Sequence, residues 1–494
     1  MQMANAVNAI EAILLNKARS LSHKPFLVVP GDKGRPTTIL SYTQMVEEVA
    51  WLGAALRSHG IHRGDRVGIQ LADPDQFVVA WFAVLAVEGV AVPISPEAPH
   101  TDVYRTLSRV TATTLLQGAQ DGGVRLVPVP TAISPQLLAP QAYDGGGVIL
   151  WTSGSTGEPK PVGMQTKALW HTANQVRHAQ NLTASDRGYS PLPLFHVNAE
   201  VVAVLASLLS GSTIVIPTKF HRSAFWHHVL DYQVSWINAV PTILSLVAQS
   251  VEGPERHQLR DIRLVRSASM ALPQITRERW KERWGLAITE TYGLSEAASQ
   301  VTANALPPED NPPGSAGKAR GVKLRVVGET GRSLPPGAVG AIEIQGDSVI
   351  NPRWGPNQWA LDKMHDGWYT TGDLGYLDES GFLYLKGRSR EVINRGGEKV
   401  FPREIEEVVL RLAAVQECAA VGAPHPILGE EVVLFVVARE AAGEDLVTTV
   451  MSHVETMLAS YKVPSRVLLV SSLPIGPTGK LARRRLQDVL AGAG

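Results

Sequence analysis

A short loop rich in hydroxyls and glycines, with one lysine, is the feature that most constrains this chain. It reads Trp151-Thr-Ser-Gly-Ser-Thr-Gly-Glu-Pro-Lys160 and begins where the apolar run 148–151 ends, a run that predicts a buried strand. Glycines allow a tight turn with backbone N–H groups pointing inward, and such donors beside hydroxyls and a cation suit a polyphosphate. A Walker A loop would instead require Gly-Lys-Ser/Thr after four free positions. The sequence therefore predicts a phosphate-binding loop of another class.

Size and charge limit the kind of protein. A chain of 494 residues exceeds one hydrophobic core and predicts about two or three domains. Lys plus Arg and Asp plus Glu are 46 each, so there is no strong basic field to hold nucleic acid or an anionic membrane. The uncharged run 201–217 is too short and too broken by Ser210-Gly211-Ser212 to cross a bilayer. We therefore expect neither a nucleic-acid partner nor a membrane span.

The cysteine content indicates the compartment. Cys418 is the single cysteine and lies in a mostly apolar run, so no intrachain disulfide can form and a buried structural thiol is expected. Glu11 interrupts the apolar N-terminal stretch, which is unlike a signal peptide. A reducing, cytoplasmic location fits these features.

The order of predicted elements indicates an α/β fold. A predicted strand at 65–71, a helix around 76–87 and a strand at 89–95 form a βαβ pattern, which recurs around 190–300. From about residue 314, short alternating strands separated by Gly and Pro turns predict a small antiparallel β unit. A boundary near Gly387 precedes a segment of about 100 residues, a common size for a small α+β domain.

Four further motifs complete the pattern. They read Glu290-Thr-Tyr-Gly-Leu-Ser-Glu296, Trp368-Tyr-Thr-Thr-Gly-Asp373, Gly387-Arg-Ser-Arg-Glu-Val-Ile-Asn-Arg-Gly-Gly397 and Pro477-Thr-Gly-Lys480. In this order, from about residue 25 to 487, the chain resembles the adenylate-forming (AMP-binding) superfamily of acyl-CoA synthetases, adenylation domains and luciferases. The resemblance implies a large N-terminal domain, 1–387, of parallel αβ subdomains with a small β-barrel unit. A small mobile α+β C-terminal domain, 388–494, would follow a hinge near 388–390.

The resemblance also implies a nucleotide site. The β- and γ-phosphates of ATP would be held by the loop residues Thr152, Ser153, Gly154, Ser155, Thr156, Gly157 and Lys160. Tyr292 would stack on adenine, near the matching positions Ser269, Met270 and Thr291. Asp373 would accept both ribose hydroxyls, for which one carboxylate is well suited. Arg388 would contact ribose and phosphate.

Catalytic roles follow from the same resemblance. Ser295 would bond the α-phosphate, Glu296 would hold Mg²⁺, and Lys480 would touch the acid carboxylate and the α-phosphate. Arg390 matches the hinge about which the C-terminal domain rotates. These roles make physical sense because a carboxylate and a triphosphate repel one another until cations neutralise both.

The thiol acceptor is expected to be coenzyme A. The glycine loop 394–399 would help form its channel through Arg395, Gly396, Gly397 and Lys399, because a surface without side chains lets a narrow pantetheine arm pass. Acyl-AMP contains a good leaving group, so a thiol can attack it without any enzyme nucleophile.

The acid pocket is expected near Pro193-Leu-Phe-His-Val-Asn-Ala199, a segment that resembles acyl-CoA ligases. Candidate walls are His196, Val197, Val240, Ser267 and Gly293, with Met270. They are largely apolar and include no arginine, which favours a monocarboxylic acid with a hydrophobic body over a dicarboxylate.

The leading hypothesis is an ATP- and Mg²⁺-dependent acid–CoA ligase, acting as a monomer or homodimer. One alternative is a stand-alone ligase that loads the phosphopantetheine thiol of an acyl carrier protein. Another is a thiolation-only relative that uses preformed acyl-AMP. Pro161 keeps this second alternative open, because proline after the loop lysine removes a backbone donor where the family usually has glycine.

Overall fold

The structure is a computed structural model that describes residues 9–32, 34–119, 122–129, 143, 145–152, 159–439, 445–474 and 481–492. The chain divides into two compact units, each built from several segments. The first comprises Met1–Ser269, Trp280–Lys323 and Ile344–Tyr369, and the second comprises Met270–Arg279, Leu324–Glu343 and Thr370–Gly494. Residues 388–494 lie wholly within the second unit, and a domain boundary at 387/388 stays a prediction.

Helices occur throughout both units. The α-helices are α1 (Ala9–Leu21), α2 (Tyr42–Ser58), α3 (Pro74–Ala86), α4 (His100–Ser108), α5 (Thr166–Ala179), α6 (Ala206–Ser210), α7 (Phe225–Asp231), α8 (Pro241–Ala248), α9 (Gln274–Trp284), α10 (Pro402–Val409), α11 (Leu446–Met457) and α12 (Arg483–Gly492). A π-helix, Asn198–Leu205, precedes α6. Ser41 and Gln44 form the capping box that the sequence predicts at the start of α2. No helix in the described part of the chain is both long and apolar enough to cross a membrane.

A six-stranded sheet in the first unit contains the strand that leads to the predicted phosphate loop. Its order is β6-β5-β3-β4-β7-β8, with parallel pairing from β5 to β7 and antiparallel pairs at both edges. The strands are β3 (Arg66–Gln70), β4 (Val90–Pro93), β5 (Thr114–Gly118), β6 (Val124–Pro128), β7 (Gly147–Thr152) and β8 (Lys160–Gln165). The predicted βαβ pattern is therefore confirmed here.

The first unit also contains a nine-stranded sheet. Its order is β15-β14-β13-β12-β11-β9-β10-β1-β2, and the strands from β13 to β1 run parallel. The strands are β1 (Pro25–Val29), β2 (Thr38–Ser41), β9 (Arg187–Tyr189), β10 (Thr213–Val215), β11 (Trp236–Ala239), β12 (Leu264–Ser267), β13 (Ile288–Tyr292), β14 (Thr302–Ala303) and β15 (Lys318–Ala319). Strand β10 lies on one side of β9 and β11 on the other, so the strand order reverses at β9. In open α/β sheets, ligands bind outside the carboxyl ends of the strands at such a reversal.

The small β unit predicted from residue 314 onward is present as a five-stranded sheet. Its order is β16-β17-β19-β18, with β20 paired to β19. The strands are β16 (Lys323–Val327), β17 (Gly340–Gln345), β18 (Met364–His365), β19 (Trp368–Leu377) and β20 (Leu383–Arg388). Strand β19 contains the Thr-Thr-Gly-Asp motif.

The last described part of the second unit is the predicted α+β segment. Its sheet has the order β22-β21-β24-β23, with β25 parallel to β24. The strands are β21 (Ile393–Arg395), β22 (Glu398–Val400), β23 (Val415–His425), β24 (Gly429–Ala438) and β25 (Arg466–Leu469). Buried residues of α10 and α11, such as Ile405 and Val450, pack with Val432 and Leu434 of β24 in one core cluster. The α/β fold class is confirmed.

Candidate active site

The two strands that flank the predicted phosphate loop are paired antiparallel. Thr152, the last residue of β7, lies opposite Lys160, the first residue of β8. Arg109 stacks its guanidinium over Trp151 at 4.7 Å and donates from Nη1 to the Pro159 carbonyl at 3.2 Å. Two cationic side chains thus lie at the loop's flanks. The predicted loop residues Ser153, Gly154, Ser155, Thr156 and Gly157 lie outside the described residues.

Pro161 occupies a strand position rather than a loop. It pairs with Trp151, and its carbonyl accepts a hydrogen bond from Trp359 Nε1 at 2.8 Å. In an antiparallel strand the N and C=O of one residue face the same side, so both backbone groups of Pro161 face away from β7. Because β8 is an edge strand, proline here removes no hydrogen bond from the ladder.

We expect Pro161→Gly to preserve pyrophosphate exchange while lowering the melting temperature. The added N–H would face the outer side of β8. Glycine would give the unfolded chain more conformational freedom, which should lower the free energy of unfolding by about 0.4–1 kcal/mol. Pro161→Ala is the matched control, since it restores the N–H without the extra freedom of glycine. A large drop in exchange at an unchanged melting temperature would instead make the proline part of the working loop.

The Glu290–Glu296 motif begins inside a strand. Strand β13 runs from Ile288 to Tyr292, so it contains the first three residues of the motif. The reason is long-range pairing, because Glu290 lies opposite Ser267 of β12 and Tyr292 opposite Thr302 of β14. Thr291 and Tyr292 are both 7% exposed.

Gly293 follows the strand at a very close approach of two backbone segments. A Cβ at this position would lie 1.4 Å from the carbonyl oxygen of Ser299. Ala298 and Ser299 have positive φ values of 52° and 96°, a sparsely populated conformation for residues other than glycine. Strained backbone of this kind clusters at functional sites.

Ser295 and Glu296 begin a short 3-10 turn, Ser295–Ala297. Both are partly exposed, and the Glu296 carbonyl accepts from the Ile350 N–H at 2.8 Å. Within the described residues, no group of three or more His, Cys, Asp or Glu side chains could form a protein-only metal cage. A single carboxylate suits Mg²⁺ that arrives with nucleotide phosphates, because this ion usually keeps several waters and takes one or two carboxylates.

The predicted acid-pocket residues end or follow neighbouring strands of the nine-stranded sheet. His196 and Val197 follow β9, Val240 follows β11, and Ser267 ends β12. These strands are neighbours and run parallel, so their carboxyl ends share an edge, which Tyr292 at the end of β13 joins. This edge includes the reversal of strand order at β9.

The backbone after β12 is also unusual. Ser269 is exposed and has a positive φ of 76°, and Met270 is 41% exposed. The structure therefore places both residues at the surface of their units, and a nucleotide contact for either stays a prediction.

A buried polar cluster at the sheet edge was missed by the sequence analysis. We define it as Arg266, Asn238, Asn198 and Ser190. Arg266 Nη1 donates to Asn238 Oδ1 at 2.6 Å and to Asn198 Oδ1 at 3.1 Å. Asn238 Nδ2 donates to Ser190 Oγ at 3.2 Å. Arg266 is 1% exposed, and its burial lowers its pKa to about 9. The available signal was an arginine within the apolar strand Leu264-Val-Arg-Ser267.

Asp373 and Arg388 lie together in the second unit. They are register partners on β19 and β20, with Arg388 Nε 3.4 Å from Asp373 Oδ1. The Asp373 N–H donates to Thr371 Oγ1 at 3.1 Å, and the Asp373 side chain is 15% exposed. A carboxylate held in this way beside a cation could accept two hydroxyl donors. Arg390 follows in a 3-10 turn, and its pKa is lowered by desolvation and then by the nearby Arg388.

The predicted CoA-channel loop is a tight hairpin between β21 and β22. Gly396 and Gly397 have φ values of 61° and 93° and connect the paired residues Arg395 and Glu398, which fits a two-residue turn that favours glycine. Arg395 Nη1 donates to the carbonyls of Tyr461 (2.9 Å) and Val463 (2.8 Å), so this guanidinium has a structural role.

Two further lysines have predicted roles, Lys399 in the CoA channel and Lys480 in catalysis. Lys399 Nζ lies 3.4 Å from Glu329 Oε1, an exposed pair of little energetic weight. Lys480 lies outside the described residues. The channel roles of the hairpin and the catalytic role of Lys480 stay predictions.

Cys418 lies on β23 as a buried free cysteine, as predicted. Burial raises the pKa of its thiol well above the ordinary value. Since thiolate is the nucleophilic form, Cys418 is unsuited to acyl transfer.

Comparison with known proteins places these features in one family. The AMP-binding enzyme family matches residues 16–352, and the AMP-binding enzyme C-terminal domain matches residues 404–480. The sulfoacetate–CoA ligase of Cupriavidus necator is 33% identical, over 97% of each chain. The oxalate–CoA ligase of Saccharomyces cerevisiae is 33% identical over 70% of this chain and 63% of its own length. ATP-bound MatB from Rhodopseudomonas palustris is 26% identical, with a TM-score of 0.83 over 98% of each chain.

The chain therefore belongs to the AMP-binding enzyme family, the adenylate-forming superfamily. Within that superfamily it is an enzyme of the acyl-CoA ligase branch, an acid–thiol ligase.

Proposed function

We propose that this enzyme uses ATP and Mg²⁺ to convert a carboxylic acid to acyl-AMP and then transfers the acyl group to the thiol of CoA. The supporting observation is the shared edge at which β9, β11, β12 and β13 end, because it gathers the acid-pocket and adenine positions at a reversal of strand order. The names of the relatives agree on CoA but differ in the acid, which they give as sulfoacetate and oxalate.

Nucleotide contacts are assigned residue by residue. Tyr292 would stack on adenine beside Thr291, with Ser269 and Met270 as further contacts. The loop from Thr152 to Lys160 would hold the β- and γ-phosphates. In the second unit, Asp373 would accept the ribose hydroxyls, and Arg388 would contact ribose and phosphate.

Catalysis requires that two anions approach one another. Lys480 would neutralise the acid carboxylate and the α-phosphate, and Ser295 would donate to the α-phosphate. Glu296 would hold Mg²⁺, which supplies positive charge to the phosphates when bound. The carboxylate oxygen attacks the α-phosphorus and pyrophosphate leaves; the thiol then attacks the acyl carbon and AMP leaves. His196 would line the acid pocket, and Arg390 would act as the hinge between the two steps.

Free CoA is the favoured acceptor. The hairpin Arg395–Lys399, with its two glycines, would form part of the channel. Because Pro161 costs β8 no ladder bond, the main reason to consider a thiolation-only enzyme is removed. Loading of an acyl carrier protein is not favoured, since the curated relatives described above are CoA ligases. A cytoplasmic location is part of the proposal, consistent with one buried cysteine.

The decisive experiment measures two half-reactions with the purified chain. Pyrophosphate exchange with a panel of carboxylic acids tests adenylation, and thioester formation is compared with CoA and with a phosphopantetheinylated carrier protein. We expect exchange that depends on the acid and thioester formation that depends on CoA. Thioester from supplied acyl-AMP without any exchange would contradict the proposal, as would a preference for the carrier protein.

We expect Asp373→Ala to weaken AMP and ATP binding together. A hydrogen bond to a charged acceptor contributes roughly 1.5–3 kcal/mol, so affinity should fall about 10- to 150-fold. Calorimetric titration with AMP measures this change. Asp378→Ala is the matched control, because its Oδ1 accepts the Phe382 N–H in the turn of the same sheet, and its loss should lower stability only. Unchanged nucleotide affinity in Asp373→Ala would leave Asp373 with a purely structural role.

A further inference from the structure

The buried cluster around Arg266 contains a positive charge without a described anionic partner. Its hydrogen-bond acceptors are the neutral amide oxygens of Asn238 and Asn198. No described carboxylate forms an ion pair with Arg266, and its Nε has no hydrogen-bond partner among the described residues. Buried charges in proteins are normally paired, because an isolated one is costly to remove from water.

Glu200 is the acidic side chain nearest in sequence to this cluster, but it does not act as an anionic partner of Arg266. It is fully buried on the π-helix, two residues after Asn198. Neither of its carboxylate oxygens has a hydrogen-bond partner among the described residues. Burial raises the pKa of its carboxyl well above the ordinary value, and no ion pair or hydrogen bond joins it to Arg266 among the described residues.

The cluster lies where a ligand is expected. Asn238 and Arg266 are register partners on β11 and β12, one residue before the ends of these strands. Ser190 directly follows β9, the strand at which the order reverses. The proposed acid-pocket residues Val240 and Ser267 are only one or two positions further along, roughly 3–7 Å at about 3.3 Å per strand residue.

Unpartnered donors accompany the guanidinium. Within the described residues, Asn198 Nδ2 has no hydrogen-bond partner, like Arg266 Nε, and the Asn198 side chain is more than nine-tenths buried. Donors without acceptors around a buried cation match a ligand that has a negative charge and several acceptor oxygens.

We propose that Arg266 is the specificity-determining residue for a short acid that has a second anionic group, a carboxylate or a sulfonate, at the end opposite the reacting carboxylate. This inference rests on the proposed function and names the substrate class of its acid pocket. It replaces the monocarboxylic acid with a hydrophobic body that the apolar wall positions suggested, because Arg266 donates to Asn198, which directly follows the wall residue Val197.

Matched pairs of acids test the proposal. Sulfoacetate is compared with methylsulfonylacetate, and malonate with malonamate, so that each pair differs mainly in the second charge. The readout is kcat/KM for acid-dependent pyrophosphate exchange. We expect the wild-type chain to prefer the dianion in at least one pair, and Arg266→Gln to lower that preference roughly 30-fold or more, since truncating one partner of a buried charge pair has an effect of this size.

Two further variants separate recognition from stability. Asn198→Asp places a carboxylate beside Arg266, so it should weaken use of the dianion and spare the matched acid with a single charge, whether or not Arg266→Gln folds. Arg263→Gln is the control, because Arg263 pairs with Asp186 at 2.8 Å just before β12 begins, and only stability should change.

The outcomes are distinguishable. Equal use of both members of each pair by the wild-type chain would overturn the substrate class while leaving the proposed ligase function intact. An unchanged preference in Arg266→Gln, or in Asn198→Asp where the first variant does not fold, would overturn the role of Arg266. Absence of exchange with every acid would defeat the proposed function and this inference with it.

Discussion

Lys480→Ala is expected to lower pyrophosphate exchange about 30- to 1000-fold while thioester formation from supplied acyl-AMP changes little. The size follows from the loss of one charge that stabilises the transition state, about 2–4 kcal/mol by comparison with oxyanion donors. The asymmetry follows from chemistry, because only the first half-reaction brings a carboxylate to a triphosphate. The second half-reaction begins from acyl-AMP, in which the acid's charge is already gone.

The segment after Lys480 is bound to α10 and β23 through Arg483, so this variant should have little effect on folding. Arg483 opens α12 and forms a bidentate pair with Glu406 of α10, with N–O distances of 2.5 and 2.9 Å. It also donates to the Ala420 carbonyl at 2.8 Å. Alanine at position 480 leaves these contacts in place.

The measurement is a comparison of the two half-reactions in one preparation. Lys219→Ala is the matched control, since Lys219 is 72% exposed and lies 4.0 Å from Glu97, outside the proposed site. Equal losses in both half-reactions would show that Lys480 has another role, such as holding the C-terminal segment in place.

Local patterns allowed much of the fold to be predicted. The capping box of α2, the alternating strands and helices of the first unit, and β16 at Lys323–Val327 all depend on residues close in sequence. The buried thiol of Cys418 followed from its apolar neighbours in the same way. Such features are fixed by periodicity and capping, which a sequence displays directly.

Features created by long-range contacts were not predictable. Tyr292 belongs to a strand because β14, about ten residues later in the chain, pairs with it. Pro161 removes no ladder bond because its backbone groups face the outer side of the edge strand β8, where Trp359, 198 residues away, donates to its carbonyl. The burial of Arg266 depends on Asn198 and Asn238 from two other elements, and a single arginine in a strand gives no measure of that enclosure.

Gly293→Ala is expected to damage both stability and nucleotide binding. Gly293 has no positive φ, so the constraint is one of space: a Cβ would lie 1.4 Å from the Ser299 oxygen and 2.5 Å from its carbonyl carbon. Both neighbours are backbone atoms, which cannot move aside as a side chain would. Overpacking of this kind typically costs about 1–3 kcal/mol and sometimes more.

The damage should reach Tyr292 because the same turn fixes that residue. The Tyr292 carbonyl accepts the Val301 N–H at 2.9 Å, and the Leu294 carbonyl accepts the Ser299 N–H at 3.1 Å. To admit the methyl group, the segment from Ser299 to Val301 must separate from Tyr292. The proposed adenine contact and the neighbouring Ser295 would then shift, so AMP affinity should fall along with the free energy of unfolding.

Denaturant unfolding and AMP calorimetry on the same protein measure the two effects. Gly118→Ala is the matched control, because Gly118 also lies at a strand end, has no positive φ and has no atom within 4 Å of an added Cβ. That variant should retain AMP affinity and unfold near the wild-type midpoint. Gly293→Ala with normal stability and normal AMP affinity would mean that the turn after β13 relaxes freely, and it would remove the spatial reason for a glycine beside Tyr292.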